Sequence, residues 1–259
     1  MPTKDRIESL KRAINSVLNQ TYKDFELIIV DDASSDGTWE FLNSIKSQRI
    51  KIFRNETSKG APFCRNLAIK NANGVFITGL DDDDEFLPNR LEVMRKHYKE
   101  EFGFVFSSYY IHNGNKKYKK NIFNKPILTF EELLNRNLVG NQVFTTKQKF
   151  INAGLFDEDL KSAQDYDMWL KLLKVYQKAL YIDIPLQVIY ISKNSITNSK
   201  LKNNGYKKVF LKNKRFMTKN QRKFHISSSL LYAHKNFYKF LPLNKYGLIL
   251  LIKKILNKR

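Results

Sequence analysis

The sequence predicts an α/β protein: a mostly parallel sheet with helices on both faces over residues 1–198, then a basic, mostly helical tail over 199–259. Three observations carry that expectation. Helix-like and strand-like segments alternate through the first ninety residues, as they do in sheets connected by crossover helices. Two strand-like runs, Phe25–Val30 and Val75–Leu80, lead straight into acidic clusters, as buried parallel strands do where ligands sit beyond their carboxyl ends. The charge is also partitioned. Of the net +21, the 18 Lys and Arg that follow Asp183 carry +18 with no acid among them, which leaves +3 for residues 1–183.

Taken in order, Ile7, Leu10, Ile14, Val17 and Leu18 follow helical spacing, and Asp5 with Glu8 three residues on reads as an acidic capping box. Phe25–Val30 is a strand that ends on Asp31-Asp32-Ala33-Ser34-Ser35-Asp36-Gly37-Thr38, where Gly37 can supply a turn with positive φ. A helix through Phe41, Leu42 and Ile45, a strand at Arg49–Phe53 and a helix opening at Ala61-Pro62 follow. Val75–Leu80 is the next strand, followed by five acids, Asp81 to Glu85. Pro88 precedes a helix with Leu91, Met94 and Tyr98. Phe104–Ile111 reads as one strand and 113–121 as a polar loop or hairpin tip. Thr129 with Glu132 caps a short helix from Phe130. Asn141–Thr146 reads as a strand, Gln164–Leu173 as an amphipathic helix with two carboxylates in its first turn, and Tyr181–Pro185 and Gln187–Ile191 as short strands.

With 259 residues, 42% of them hydrophobic, the chain can bury a full core. A single cysteine, Cys64, excludes an internal disulfide and fits a reducing compartment. The first twenty residues are too polar for a secretory signal, and no stretch reaches the roughly 18 apolar residues that span a bilayer. A cytoplasmic location is therefore expected.

The acids set the chemistry. On extended backbone Asp81 and Asp83 share one face and can aim at one hard cation, while Asp82 points elsewhere. A divalent metal would relieve the crowding of five carboxylates. The sequence has neither a phosphate-binding loop nor a glycine-rich dinucleotide fingerprint, so Mg²⁺ or Mn²⁺ held by carboxylates and bridging phosphates is the alternative cradle. A nucleoside diphosphate leaving group suits such a site.

Six segments carry a resemblance: Pro2-Thr3, Val30 to Thr38, Arg65-Asn66, Leu80 to Asp84, Gly154 to Glu158 and Gln164-Asp165-Tyr166. None alone is specific, but in this order and spacing they resemble the motifs of family-2 glycosyltransferases with the GT-A fold, over about residues 2–197. The resemblance implies inverting transfer from a nucleotide sugar, a UDP-sugar foremost, to a glycan or lipid-linked acceptor in cell-surface glycan synthesis. It implies that Pro2, Thr3, Asp31, Asp32, Arg65, Asp81 and Asp82 bind the donor nucleotide, that Asp83 ligates Mg²⁺ or Mn²⁺, and that Asp165 is the base. Helix-start placement favoured by the dipole is the other reading of Asp165. A solvated helix face is the other reading of Arg65, and Trp169 is expected in the core.

The chain departs from the family twice. Tyr190-Ile191-Ser192-Lys193 lacks the His that many members place there, so either Ser192 or water fills in, or Lys193 meets the phosphate directly. The apolar strand that precedes Pro-Thr in the family is expected to be absent, with residues upstream of Met1 missing or another segment in its slot. Two other classes compete. A nucleic-acid-binding role for the basic tail would leave the acidic clusters unexplained, since they repel nucleic acid; no nucleic-acid partner is expected. A GT-A-like nucleotidyltransferase would need a glycine-rich amino-terminal loop that is not here. The tail ends in an apolar run over 243–256 flanked by lysines, suited to lie on an anionic membrane surface or to pack on the catalytic domain or a partner.

Overall fold

The computed structural model describes residues 1–120, 123–191 and 200–233. The amino-terminal half is a layer of three parallel strands, β1 (Pro2–Thr3), β2 (Leu27–Asp31) and β3 (Ile50–Arg54). All five residues of β2 are buried, which is why its apolar run was unbroken. Helix α1 (Ile7–Leu18) buries Leu10, Ala13, Ile14 and Val17. Helix α2 (Thr38–Ser44) starts after Gly37 at φ +86°, a left-handed conformation that glycine adopts without strain. Helix α3 (Ala61–Asn71) carries Arg65.

Beyond α3 the chain builds two mixed sheets. One has the order β4 (Phe76–Thr78), β10 (Phe144–Thr146), β6 (Val105–Ser107), β11 (Lys178–Ile182), β9 (Ile127–Thr129). The other has the order β5 (Glu85–Phe86), β12 (Gln187–Tyr190), β7 (Tyr109–His112), β8 (Lys117–Lys120). Helix α4 (Arg90–His97) follows β5, and α5 (Phe130–Leu133) and α6 (Lys147–Asn152) follow β9 and β10. Helix α7 (Gln164–Tyr176) runs through the main core, which gathers Phe104, Phe106, Phe150, Phe156, Tyr166 and Trp169. Helices α8 (Lys200–Asn213) and α9 (Lys219–Ala233) begin the basic tail. Val209 of α8 and Met217 join the same core, and Lys212 of α8 ion-pairs with Asp157 and Asp167.

Several expectations are corrected. Phe104–Ile111 is two strands in different sheets, β6 and β7, because the backbone at Ser108 turns to donate to Ile182 O at 3.0 Å. The polar 113–121 stretch includes strand β8 of a hairpin with β7. Asp5 is no cap: Arg6 stands at the N-cap of α1 without a side-chain bond, and Asp5 accepts from Ser35 instead. By contrast, Thr129 and Glu132 form both bonds of a capping box at α5. Pro2 and Thr3 pair with Val30 and Asp31, and the Met1 amino group donates to Ile28 O at 2.8 Å.

Strand β1 does not pair with β4, so the first and second sheets stay separate. Between them lies a cleft of about 710 Å³, lined by Met1, Leu27 and Ile28 on one side and Val75, Ile77 and Leu80 on the other. Burial drives the Met1 amine down to about 5, since a charged ammonium is costly there.

Candidate active site

The site lies where β1, β2 and the acidic turn after β4 meet. The five acids do not continue as strand. Asp84 N–H donates back to Asp81 O at 3.1 Å, closing a turn, so the alternation that paired Asp81 with Asp83 does not hold. Each carboxylate has its own setting. Asp81 accepts from Arg65 Nη2 at 2.7 Å, Gln142 Nε2 at 3.1 Å and Asn141 Nδ2 at 3.1 Å. Asp82 accepts from the Thr3 hydroxyl at 2.8 Å and from Arg6 Nη1 at 3.2 Å. Asp83 accepts from the same Arg6 nitrogen at 2.5 Å. Asp84 is buried between Asn141 Nδ2 at 2.7 Å and Tyr190 N–H at 3.0 Å. Burial raises Asp82 to about 6 against the pull of Arg6, and raises Asp83 and Asp84 in the same direction.

At the end of β2, Asp31 and the Asp32 that follows it differ. Asp32 accepts from Asn55, Ser58 and the Lys59 and Gly60 amides, all within 2.9 Å. Burial alone would raise it; these four bonds together hold it down at about 2. Asp32 thus organises the loop into α3. Asp31 accepts from Ser34 N–H through one oxygen, and its other oxygen has only the Arg54 guanidinium, 3.4 Å away.

Asp165 sits in the first turn of α7, facing Arg65 across 3.9 Å. Its Oδ1 is buried with no hydrogen-bond partner among the described residues. Burial raises it to about 7, Arg65 opposing and Asp81 reinforcing the shift. Arg65 is only 11% exposed and bridges Asp81 and Asp165, so it does not lie on a solvated face. Trp169 is buried and donates its indole N–H to Gly140 O at 3.0 Å, a core residue as expected. Non-glycine residues in the left-handed region flank the site: Asp5 at φ +50° beside Arg6, Ala33 at +61° after Asp32, and Ala163 at +57° at the N-cap of α7. Each costs about 1 kcal/mol or more, a strain that recurs where loops hold functional groups.

The structure therefore brings Thr3, Arg65, Asp81, Asp82, Asp83 and Asp165 to one place, with Pro2 and Asp31 at the strand ends beside it and Asp32 turned to its loop. Sequence reasoning missed Arg6, Arg12, Asn141, Gln142 and Tyr190. Arg12 donates to Asp83 O at 2.8 Å, ion-pairs with Glu85 at 2.7 Å and stacks on Tyr190 at 4.0 Å. The one local signal was the polar pair Asn141-Gln142 at the start of the predicted strand 141–146, of which only Phe144–Thr146 is strand. Ser192, Lys193 and the apolar run over 243–256 lie outside the described residues.

No group of three His, Cys, Asp or Glu among the described residues could hold a metal ion unaided. Asp83 still fits one: its carboxylate is a hard oxygen donor, 38% exposed, and Mg²⁺ commonly binds through one or two carboxylates plus substrate phosphates and water.

The chain belongs to glycosyl transferase family 2, whose model matches residues 1–160. It is 34% identical over 91% of its length, and 87% of the relative's, to the WcaA glycosyl transferase of Escherichia coli K12, named for colanic acid biosynthesis. It is 32% identical to the Escherichia coli UDP-Glc:α-D-GlcNAc-diphosphoundecaprenol β-1,3-glucosyltransferase WfgD, over 78% of this chain and 79% of that one. The fold is that of S. aureus TarS in complex with UDP, at a TM-score of 0.67 and 18% identity over 88% of this chain and 69% of TarS. It is also that of the mannosyltransferase PcManGT of Pyrobaculum calidifontis in complex with GDP-Man and Mn²⁺, at 0.58 and 14%, over 100% of this chain and 86% of that one. The protein is thus an inverting glycosyltransferase with the GT-A fold.

Proposed function

We propose that the enzyme moves a sugar from a UDP-sugar to a polyprenyl-diphosphate-linked glycan, with Asp165 as base. The observation that carries this reading is Asp165 itself: a partly buried carboxylate whose Oδ1 accepts no hydrogen bond among the described residues, with Arg65 between it and Asp81. Asp165 takes the proton of the acceptor hydroxyl as its oxygen attacks the anomeric carbon. The bond to the diphosphate breaks from the opposite face, so the configuration inverts and the nucleoside diphosphate leaves with the electron pair. Asp31, Thr3 and Asp81, with Pro2 and Asp82 beside them, orient the nucleoside, and Arg65 meets the diphosphate side. Asp83 would hold the divalent cation, which when bound offsets the charge building on the leaving group. Uridine and the lipid acceptor are supported by the named donor and acceptor of the 32%-identical relative.

Among the described residues no helix is long and apolar enough to cross a membrane. We place the enzyme on the cytoplasmic membrane surface, held through the basic tail, where a lipid-linked acceptor would be presented. Two measurements test the reading. Radiolabelled UDP-sugars with a polyprenyl-diphosphate-GlcNAc acceptor should yield a lipid-soluble product whose new linkage is inverted relative to the donor; retention of configuration would refute it. Anionic vesicles should bind the full chain in a salt-sensitive manner, and deletion of residues 236–259 should abolish this with donor hydrolysis intact. Equal vesicle binding by the truncated protein would remove the tail from that role.

A further inference from the structure

We propose that Arg6 is a positioning residue that holds the place of the divalent cation and couples its binding to that of the donor diphosphate. The inference rests on the reading of Asp83 given above. Arg6 Nη1 lies 2.5 Å from Asp83 Oδ2 and 3.2 Å from Asp82 Oδ1, so one guanidinium nitrogen spans both carboxylates. Its side chain is 41% exposed, and Asp83 38%. The contact therefore lies at the mouth of the site, where a cation would enter.

Two features make Arg6 a guest at these carboxylates rather than a strut. The acidic turn is held without it: Arg12 grips the Asp83 carbonyl and Glu85, Asp84 is fixed by Asn141 and Tyr190, and Arg65 secures Asp81. The backbone of Arg6 is fixed instead from its own side. Asp5 is held at φ +50° by its amide's bond to Ser34 and by the Ser35 amide, and Arg6 O accepts from Leu10 N–H at the start of α1. The strained loop aims a long, half-exposed side chain over the carboxylates, where its guanidinium bonds Asp82 and Asp83 alone among the described residues.

The chemistry follows from charge. A cation at Asp83 must displace Arg6, and alone it gains little by exchanging one positive partner for another. When a nucleoside diphosphate arrives with it, Arg6 transfers its two hydrogen bonds from carboxylates to phosphate oxygens, a charge-assisted exchange of like for like. Metal and nucleotide then bind better together than apart, and by linkage each strengthens the other equally.

The test is uptake of Mn²⁺, read from the resonance of the free ion, with and without UDP, in the full-length protein, Arg6→Gln and Arg6→Lys. Wild type should bind Mn²⁺ weakly alone and at least about tenfold more tightly with UDP. Arg6→Gln should bind Mn²⁺ alone roughly five- to tenfold more tightly than wild type, the worth of a partly exposed arginine–carboxylate contact. It should also bind UDP more weakly, so the coupling shrinks. Arg6→Lys keeps the charge without the planar fork and should fall between; it also decides the matter should the Gln variant fail to fold. Wild-type Mn²⁺ affinity and wild-type coupling in the variants would overturn the role of Arg6 while leaving Asp83 as the metal ligand. Absence of any UDP effect on Mn²⁺ uptake by wild type would overturn both.

Discussion

Replacing Asp165 by Asn separates catalysis from stability in a way few other changes would. Only the proton acceptor is lost, so donor binding should persist while transfer falls by about 10²–10⁴. The raised pKa adds a pH signature. With Asp165 titrating at about 7, its ionised fraction rises from about a tenth at pH 6 to about nine-tenths at pH 8, so wild-type kcat/KM should rise about ninefold across that interval. Stability should run the other way. The folded state keeps a proton that the unfolded chain releases above about pH 4, so stability falls as pH rises from 4 to 7, and the penalty is complete above 7. A shift from 3.8 to about 7 sets a ceiling of about 4 kcal/mol. With 23% of the side chain exposed, solvent reduces that to on the order of 2 kcal/mol. Asp165→Asn should therefore melt about 5 °C above wild type at pH 8, with the gap narrowing as pH falls and closing near pH 3, below the titration of the unfolded carboxyl. Calorimetric melts and a transfer assay on the same preparations check both halves. Near wild-type transfer by the variant refutes the base; equal melting at pH 8 refutes the raised titration of the Asp165 carboxylate.

Three further outcomes are expected. Asp83→Ala should weaken nucleotide binding measured with Mn²⁺ by about tenfold or more and leave it unchanged with chelator; unchanged affinity with Mn²⁺ takes Asp83 out of the metal site. Adding an apolar five-residue strand ahead of Met1 should fill the cleft between β2 and β4 and raise the melting temperature by about 5 °C or more. It should also abolish the loss of stability expected as pH falls from 8 to 5, where the unfolded amine is protonated and the buried one, titrating at about 5, is not; equal melting temperatures would show that the cleft costs nothing. Lys212→Ala removes the α8 partner of Asp167, whose side chain is 2% exposed and keeps Lys171 at 3.5 Å; a loss of about 1–2 kcal/mol in chemical unfolding is expected, and an unchanged midpoint would mean that α8 adds nothing to the catalytic core.

What the sequence revealed, and what it hid, divides by range. Strand β2 was legible because all five of its residues are buried, and the Thr129–Glu132 box because both of its bonds span three residues. Gly37 declared its own left-handed turn. The acidic turn was legible as a site but not as a shape: the alternation rule assumes extended backbone, and the bond from Asp84 to Asp81 curls it. Asp5 misled for a related reason. Its spacing to Glu8 fits a cap, yet its carboxylate is claimed by Ser35, 30 residues away. The partners that set each carboxylate's charge come from far along the chain: Arg6 to Asp83 across 77 residues, Asn141 to Asp81 across 60, and Tyr190 to Asp84 across 106. No local pattern encodes such pairs. Asp31 and Asp32 looked equivalent in sequence, and only the loop at 55–60 tells them apart, by taking up every bond of Asp32.

If these acids serve a nucleotide sugar, the protein should act on one even without an acceptor. The most direct measurement is release of nucleoside diphosphate from a panel of UDP-, GDP- and TDP-sugars with Mn²⁺ and no acceptor, by wild type beside Asp83→Ala. Wild type should hydrolyse at least one UDP-sugar slowly, and this activity should be lost on chelation and in the variant. Wild-type protein that releases nothing from any donor, or that hydrolyses a donor equally well with Asp83 removed, would contradict that role of the acids.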